Sequence, residues 1–415
     1  MKKSSPKEVF ETYKKRFTYF PDFKIEQNPD PDLNYIIVIP CYNEKDLLNT
    51  LNSLVACAEP HNKFEVIVVV NSASDTSNTI KEINQTTIDA FYKWNEINIS
   101  KIKFHCIEAL NLPKKKAGVG LARKIGMDVA ASRFAQLDKL GWIINLDADC
   151  VVSENYLIEI ETKVTSEVRG GHFYFEHQLD GLENKDLKTG ITLYELHLRY
   201  YAQALKHSGF SFWHHTVGSC MISRSDVYAL QGGMNQRKAG EDFYFMHKIM
   251  PGGNCVTINS ATVFPSARIS DRVPFGTGKA QGDWIDSGNE VRMTYSFELF
   301  SSLKLFFSSL DMWYDGRPDL NEKLDAFLKL ISFEDSVSRI KKRSSSKDIF
   351  IKNITQFCDG FYTLKMVHYL REYCFGEEDV ISASKKLLIT LKTQRNDLNV
   401  FELLEEFRML DKTSN

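Results

Sequence analysis

Two aspartates one residue apart, Asp147-Ala-Asp149, directly follow the apolar run Trp142-Ile-Ile-Asn-Leu146. In extended chain, residues two apart face the same side, so both carboxylates can address one object. Paired carboxylates at the end of a buried strand suit a hard divalent cation, Mg2+ or Mn2+, which takes oxygen ligands and completes its shell from water or phosphate. Two solvated turn aspartates would read identically in isolation, so the companions of the motif decide its meaning. A second acidic pair, Glu241-Asp242, follows Gly240 and opens a helical stretch running to Met250. A helix N-terminus favours the anion. That placement suits a proton acceptor for a hydroxyl group, with ordinary first-turn helix charges as the alternative.

These pairs need a scaffold, and the sequence supplies one. Tyr35-Ile-Ile-Val-Ile39 is a β-branched run that Pro40 is expected to halt, and Leu47, Leu48, Leu51, Leu54 and Val55 then recur at helical spacing. Asn43 is expected to cap that helix, with Asp46 in its first turn. Glu65–Val70, Lys103–Leu110 and Trp142–Leu146 read as further strands, separated by amphipathic or polar helical stretches. Strands apolar on both faces and separated by helices imply a parallel α/β sheet covered on each side, with ligands at the carboxyl ends of the strands. Polar residues do stand at those ends. Pro40-Cys-Tyr-Asn-Glu44 follows the first strand and Asn71-Ser-Ala-Ser-Asp75 the second. Glu44 and Asp75 can accept hydrogen bonds from a base or ribose, or serve as helix caps. Lys116, Gly118, Gly120 and Arg123 precede a helix, in a turn expected to present Arg123 to a ligand. No strand leads directly into Gly118-Val-Gly120, and the third glycine of a dinucleotide fingerprint is misplaced.

After Gly170 the pattern changes. Gly171–His177 alternates like a strand, and glycine-rich turns follow at 232–233 and 252–253. A second helical region is expected from about Met293, with Lys341–Lys347 as an exposed loop. The expected organisation is a helical N-terminal extension over 1–33, an α/β catalytic domain over 34–290 and a helical C-terminal region over 291–415. With 43% hydrophobic residues, 26% charged residues and a formal net charge of -2, the 415-residue chain gives no global attraction to nucleic acid or acidic lipid. Eight cysteines are dispersed without a CxxC pair, which suits a reducing compartment. No apolar run reaches the ~18–20 residues of a membrane span. The expected location is the cytoplasm, with room for peripheral contact at the inner face of the membrane.

Taken together, Pro40-Cys-Tyr-Asn-Glu44, the Asp75 turn, Lys116…Arg123, Asp147-Ala-Asp149 and Gly232-Gly…Gly240-Glu-Asp242 resemble glycosyltransferase family 2 in order and spacing. The likeness covers about half of the chain; each motif is weak alone, and the five in order are specific. It implies a GT-A fold, a Rossmann-like and mostly parallel sheet flanked by helices, and an inverting, metal-assisted transfer of a sugar from a nucleoside-diphosphate donor, UDP being favoured. Position by position, the resemblance implies that Glu44 and Asp75 contact the nucleotide. It also implies that Asp147 and Asp149 hold nucleotide and metal, and that Asp242, beside Glu241, is the general base.

Two departures qualify that likeness. Asn71-Ser72 stands where many relatives have two aspartates, so base recognition can differ. No late histidine lies between Cys255 and Trp284 to serve as a metal ligand; Arg268, Arg272 and Lys279 stand there instead. Guanidinium pairs well with phosphate oxygens, so these three are expected to close over the diphosphate, with an exposed basic loop as the alternative. Pro40, Tyr42, Glu44, Asn71, Asp75, Lys116, Arg123, Asp147, Arg268, Arg272 and Lys279 form the expected donor-binding set. Phe210-Ser-Phe-Trp-His-His215 suits either stacking on an acceptor sugar or plain core packing. The acceptor can be carbohydrate, lipid, protein or small molecule. A nucleotidyltransferase would want a glycine-rich, arginine-bearing N-terminal loop that is missing, and a non-catalytic sugar-nucleotide scaffold would not need Asp147, Asp149 and Asp242.

Overall fold

The computed structural model describes residues 4–17, 20, 22–273, 276–288, 291–391 and 397–413. These form two compact units, Met1–Gly181 with Thr216–Gly282, and Leu182–His215 with Asp283–Ser414. The grouping differs from a linear division at 290, because residues 182–215 cluster with the C-terminal helices and the N-terminal helix with the sheet.

The first unit opens on α1 (Pro6–Arg16), where Ser5 and Glu8 form a reciprocal capping box with proline in the first turn. The sheet then begins with β1 (Leu33–Cys41). Pro40 does not end it. β1 pairs with β4 only up to Val38–Asn145, and Leu146 N–H donates to Val38 O at 3.1 Å. Pro40 shares the orientation of Val38, so its missing N–H points where β4 has already stopped and no ladder bond is lost. The helix α2 (Leu47–Val55) follows, but Asn43 does not cap it; Asp46 occupies the cap position without a side-chain hydrogen bond, and Asn43 adopts a positive φ of 49°. Next come β2 (Lys63–Ala73), α3 (Asn78–Ile97), β3 (Lys103–Leu112), α4 (Val119–Gln136), β4 (Trp142–Asn145), β5 (Cys150–Val152), α5 (Tyr156–Lys163) and β6 (Gly170–Phe175). The helix α6 (Lys185–His207) belongs to the second unit. The sheet resumes with β7 (Met221–Arg224), α7 (Ser225–Leu230), α8 (Glu241–Ile249) and β8 (Cys255–Pro265), and α9 (Thr277–Ser287) follows.

The eight strands form one sheet in the order β3-β2-β1-β4-β7-β6-β8-β5. The β3-β2-β1-β4 half is parallel and β6 pairs parallel with β8, while β7 and β5 run against their neighbours. The expected α/β architecture is therefore present. In the parallel half β1, β2 and β4 all point their carboxyl ends the same way, which delivers residues 41–44, 71–75 and 146–149 to one edge.

Between sheet and solvent lies α4, buried on nearly every side although it carries Arg123, Lys124, Asp128 and Arg133. Each buried charge has a partner, as the cost of desolvating an ion demands. Arg133 donates to both Glu65 oxygens, at 2.5 and 2.7 Å. Lys124 lies 3.1 Å from Asp128, whose other oxygen accepts from Tyr13 and Tyr228 at 2.6 Å each. The Tyr13 contact ties α1 to α4.

The second unit continues with β9 (Met293–Tyr295), α10 (Phe297–Ser308), α11 (Glu322–Leu330), α12 (Phe333–Arg343), α13 (Lys347–Phe357), α14 (Gly360–Leu370), β10 (Glu377–Asp379), α15 (Val380–Thr390) and α16 (Val400–Thr413). Where helix is expected from Met293, the chain first makes β9, antiparallel to β10. The Lys341–Lys347 stretch is only partly a loop: Lys341–Arg343 end α12 and Lys347 begins α13. Basic residues suit the last turn of a helix, where carbonyls lack partners. A buried polar cluster explains why α6 groups with the C-terminal helices. Arg199 and Arg408 both bind Glu195, at 2.9 and 2.8 Å, and Asp411 accepts from Arg199, from Gln203 at 2.5 Å and from His215 at 3.0 Å. Burial alone would raise the Asp411 pKa, but His215, Arg199 and the hydrogen bonds hold it at about 2. The Phe210–His215 segment lies in this unit, where Phe210 stacks near Phe307 and Lys206 sits over Trp213.

The Arg133–Glu65 pair supports a direct test. Arg133→Ala leaves a buried carboxylate without its cation and is expected to cost ~3–5 kcal/mol in urea unfolding. Replacing both residues by Met is expected to cost much less, because no charge then remains buried.

Candidate active site

Glu44 is the most enclosed of the acidic groups at the sheet edge, with no exposed surface. The left-handed turn at Asn43, whose N–H donates to Asn84 Oδ1 at 3.0 Å, sends the chain inward immediately after β1. Two guanidiniums meet the Glu44 carboxylate there. Arg268 approaches with Nη1 at 3.0 Å and Nη2 on the other oxygen, and Arg272 Nη1 lies at 2.9 Å. Burial pushes the Glu44 pKa up, yet hydrogen bonds from Arg268 and the Asp46 N–H, with both guanidinium charges, hold it below the usual carboxylate value.

Beyond β4 the chain does not stay extended. Ala148 and Asp149 form a tight turn before β5 begins at Cys150. The two aspartates still meet, for a different reason from alternation along a strand. Ligand atoms of Asp147, Asp149 and Cys150 all lie within 4.8 Å of one another. Asp149 also receives Arg272 Nη2 at 2.6 Å and Arg268 Nη2 at 3.3 Å. Its pKa is nonetheless raised, by burial first and by repulsion from Asp147 second.

Asp147 faces a third arginine. Arg123, only 3% exposed, projects from α4 and bridges Asp147 to Glu241. A side chain at Gly218 would meet this guanidinium, since a Cβ there would stand 2.5 Å from both Arg123 Nη atoms. Gly120 is equally constrained: its Cβ would stand 2.2 Å from the Arg237 carbonyl, so only glycine lets α4 approach the loop preceding α8. That loop ends at Gly240, left-handed at φ 70°, and α8 starts with Glu241 and Asp242. Asp242 lies in the first turn of the helix, where its carboxylate accepts from the adjacent Phe243 N–H at 2.7 Å. Burial and the neighbouring Glu241 push its pKa up to about 7, while Arg123 and the Phe243 N–H pull it down.

The expected site residues thus fall into distinct places. Glu44, Asp149, Arg268 and Arg272 form one cluster, and Asp147, Arg123, Glu241 and Asp242 adjoin it. Tyr42 contributes its carbonyl, which accepts from Arg272 at 3.3 Å. Pro40 and Asn71 are buried within β1 and β2. Asp75 lies at the exposed rim and pairs with Lys114 at 2.6 Å. Lys116 is exposed in the turn before α4, and Lys279 stands in the first turn of α9. Arg123 sits beneath the acidic groups rather than on a surface open to a ligand. The sequence assigns Asp46, 3.3 Å from Arg268, only a first-turn helix role and Lys114 none; the only signal for Lys114 is its place in the run Lys114-Lys-Lys116.

The donor set suits a hard divalent cation. Asp147 and Asp149 offer two carboxylates that are both partly open to solvent. Cys150 does not compete as a thiolate, because burial and the two aspartates raise its pKa far above the usual thiol range.

Residues 36–228 match the family model of glycosyl transferase family 2. That segment, just under half of the chain, resembles a family 2 glycosyltransferase domain and carries the parallel half of the sheet. The match spans the Glu44, Asp75, Arg123 and Asp147–Asp149 positions and stops short of Glu241, Asp242, Arg268 and Arg272, which rest on geometry alone. Among solved structures, S. aureus TarS 1-349 in complex with UDP-GlcNAc is similar at 13% identity, over 80% of this chain and 92% of that one, with a TM-score of 0.39. The mannosyltransferase PcManGT from Pyrobaculum calidifontis, in complex with GDP-Man and Mn2+, is similar at 10% identity over 98% and 93% of the two chains, with a TM-score of 0.36. No curated protein matches the sequence. No helix among the described residues is long and apolar enough to cross a membrane, and none of the eight cysteines forms a disulfide.

The raised pKa of Asp242 predicts a stability effect with a definite sign. A carboxyl that titrates near 7 when folded and near ~3.9 when unfolded opposes folding in its ionised form. The opposition is absent below about pH 4, grows between the two values and is complete above about 7. Asp242→Asn is therefore expected to raise the melting temperature by a few degrees at pH 8 and to leave it nearly unchanged at pH 4, by calorimetry at both pH values.

Proposed function

We propose that this protein is a glycosyltransferase that moves a sugar from a nucleoside-diphosphate donor to an acceptor hydroxyl with inversion, and that it uses Mg2+ or Mn2+. The observation that carries the reading is that one buried guanidinium joins Asp147 to Glu241, with Asp149 close to the first and Asp242 next to the second, at the carboxyl edge of the parallel strands. One region there holds a pair of carboxylates suited to a cation and, nearby, a carboxylate whose pKa is pushed up to about 7.

Asp147 and Asp149 would hold the divalent ion, which, when bound, neutralises charge on the departing diphosphate. Glu44, fixed at the end of β1, and Asp75, at the end of β2, are the acceptors available to ribose or base. Asp242 takes the proton of the incoming hydroxyl. A base that titrates near the working pH is a good compromise between being ionised and being able to accept a proton. Glu241 stays paired with Arg123 and raises the basicity of Asp242 by its charge. A single displacement assisted by one base on the acceptor side inverts the anomeric centre. The dispersed thiols, without disulfides, suit a reducing compartment such as the cytoplasm.

Thermal-shift measurements against UDP-, GDP-, CMP- and dTDP-sugars, with and without Mn2+, test the donor site. One nucleotide class is expected to raise the melting temperature only with Mn2+, and Asp149→Ala to abolish the shift. Shifts that persist without turnover on any acceptor would favour a sugar-nucleotide-binding scaffold; no shift in a folded protein would remove the donor site altogether. In turnover assays, the rate is expected to rise with pH on the acid side, because only ionised Asp242 accepts the proton. The midpoint should fall below 7 in the metal-loaded enzyme, since positive charge at Asp147 and Asp149 favours the ionised form. Asp242→Asn should lose at least about 100-fold in kcat and keep its donor-induced shift.

A further inference from the structure

Glu44 needs one cation and has two. The surplus lies across the gap to Asp149, where Arg272 Nη2 stands at 2.6 Å and Arg268 Nη2 at 3.3 Å. Both arginines therefore span from the carboxylate proposed to face the nucleotide to a carboxylate proposed to hold the metal. They remain partly open to solvent, at 35% and 23% of the side chain, whereas Arg123 beneath them is 3% exposed. Their backbone, residues 266–272, leaves β8 and belongs to no helix or strand. Short local bonds shape it, Arg272 Nε to Ser270 Oγ at 2.9 Å among them, and Gln281 Nε2 donates to the Ala267 carbonyl at 3.1 Å. A segment without a ladder of backbone bonds can be moved at low free-energy cost.

We infer that Arg272, with Arg268, stands in for the divalent cation at Asp149 while the donor is absent, and that these two arginines pass to the diphosphate when metal and donor arrive together. The inference rests on the donor-site reading given above. Its physical basis is charge exclusion. A doubly charged ion on Asp149 and a guanidinium 2.6 Å from the same carboxylate repel strongly in a half-buried site. Metal alone must therefore displace Arg272 and leave it without an anion. A nucleoside diphosphate supplies that anion, and guanidinium suits phosphate oxygens. Metal and nucleotide are thus coupled through the strap, each tightening the other by the same factor. The strap also keeps two carboxylates of opposite task, Glu44 and Asp149, from repelling one another in the resting enzyme.

Mn2+ binding, read from the loss of the free-ion electron paramagnetic resonance signal, tests this with MnCl2 alone and with saturating UDP or GDP. Wild type is expected to bind Mn2+ weakly alone, with at least about 10-fold tightening by one of the two nucleotides. Arg272→Gln should bind Mn2+ alone about 5-fold or more tightly than wild type and lose most of the nucleotide coupling. Arg272→Lys, which keeps the charge, should stay near wild type for Mn2+ alone. Arg268→Gln, a second route if Arg272→Gln melts early, should shift in the same direction by less. Equal Mn2+ affinity in wild type and both Gln variants, or unchanged coupling, overturns the inference and leaves the donor site standing. Absence of Mn2+ binding to every form, with or without either nucleotide, overturns the donor-site reading and this inference together.

Discussion

The Arg123 guanidinium is the interaction on which the site depends. It rises from a helix buried along nearly its whole length and is shared between Asp147, just past β4, and Glu241, the first residue of α8. These two carboxylates lie 94 positions apart in sequence (241 − 147) and would repel without it. A planar guanidinium can serve both at once, which a lysine ammonium would do with less directional control. Glycine at 218 and 120 removes the side chains that would otherwise hold α4 away. The position of Asp242 then follows, because it is the next residue on the helix that Arg123 anchors.

Three arginines face six acidic groups in this region, and the three are unlike in kind. Arg123 is permanent, buried in a rigid helix whose other charges are all paired. Arg268 and Arg272 sit on irregular backbone, reach their partners from outside and stay partly hydrated. The difference matters for electrostatics. A fixed buried cation sets the resting potential of the site, and displaceable cations adjust it to what is bound. Asp149 shows the effect, since its pKa stays high despite two arginines because burial and Asp147 outweigh them. An acidic centre that is under-compensated in this way is ready for a stronger cation.

Much of this was legible in the sequence, for identifiable reasons. The strands stood out because each is a short β-branched run ended by polar residues, and those endings place Glu44, Asp75 and the Asp147–Asp149 pair at one edge of the sheet. The failures arose where a third element intervened. Pro40 fits inside β1 only because β4 stops two residues earlier, which periodicity cannot show. The two aspartates converge through a turn, and their proximity was right for a reason that was not. Residues 182–215 belong with the C-terminal helices because Glu195 and Arg199 meet Arg408 and Asp411, partners more than 200 positions away. Arg123 looked like a ligand contact, since nothing local reveals that its helix is covered on both sides. Arg268 and Arg272 were expected at the diphosphate, and their present partners, Glu44 and Asp149, are contacts between distant loops with no local signature.

The burial of α4 has a consequence for how this domain comes together. Its charges find partners 68, 118 and 115 positions away, in Arg133–Glu65, Arg123–Glu241 and Asp128–Tyr13. None of these can be desolvated profitably until the opposite charge or hydroxyl arrives. Full burial of its charges therefore needs β2, α8 and α1 together, and long-range contacts of this kind slow folding. α1 supplies no residue of the site, yet its Tyr13 hydroxyl binds Asp128 on the helix that carries Arg123. The N-terminal arm, made first, must therefore wait for α4 and dock onto it, and the helix that carries Arg123 is fully covered only once it has.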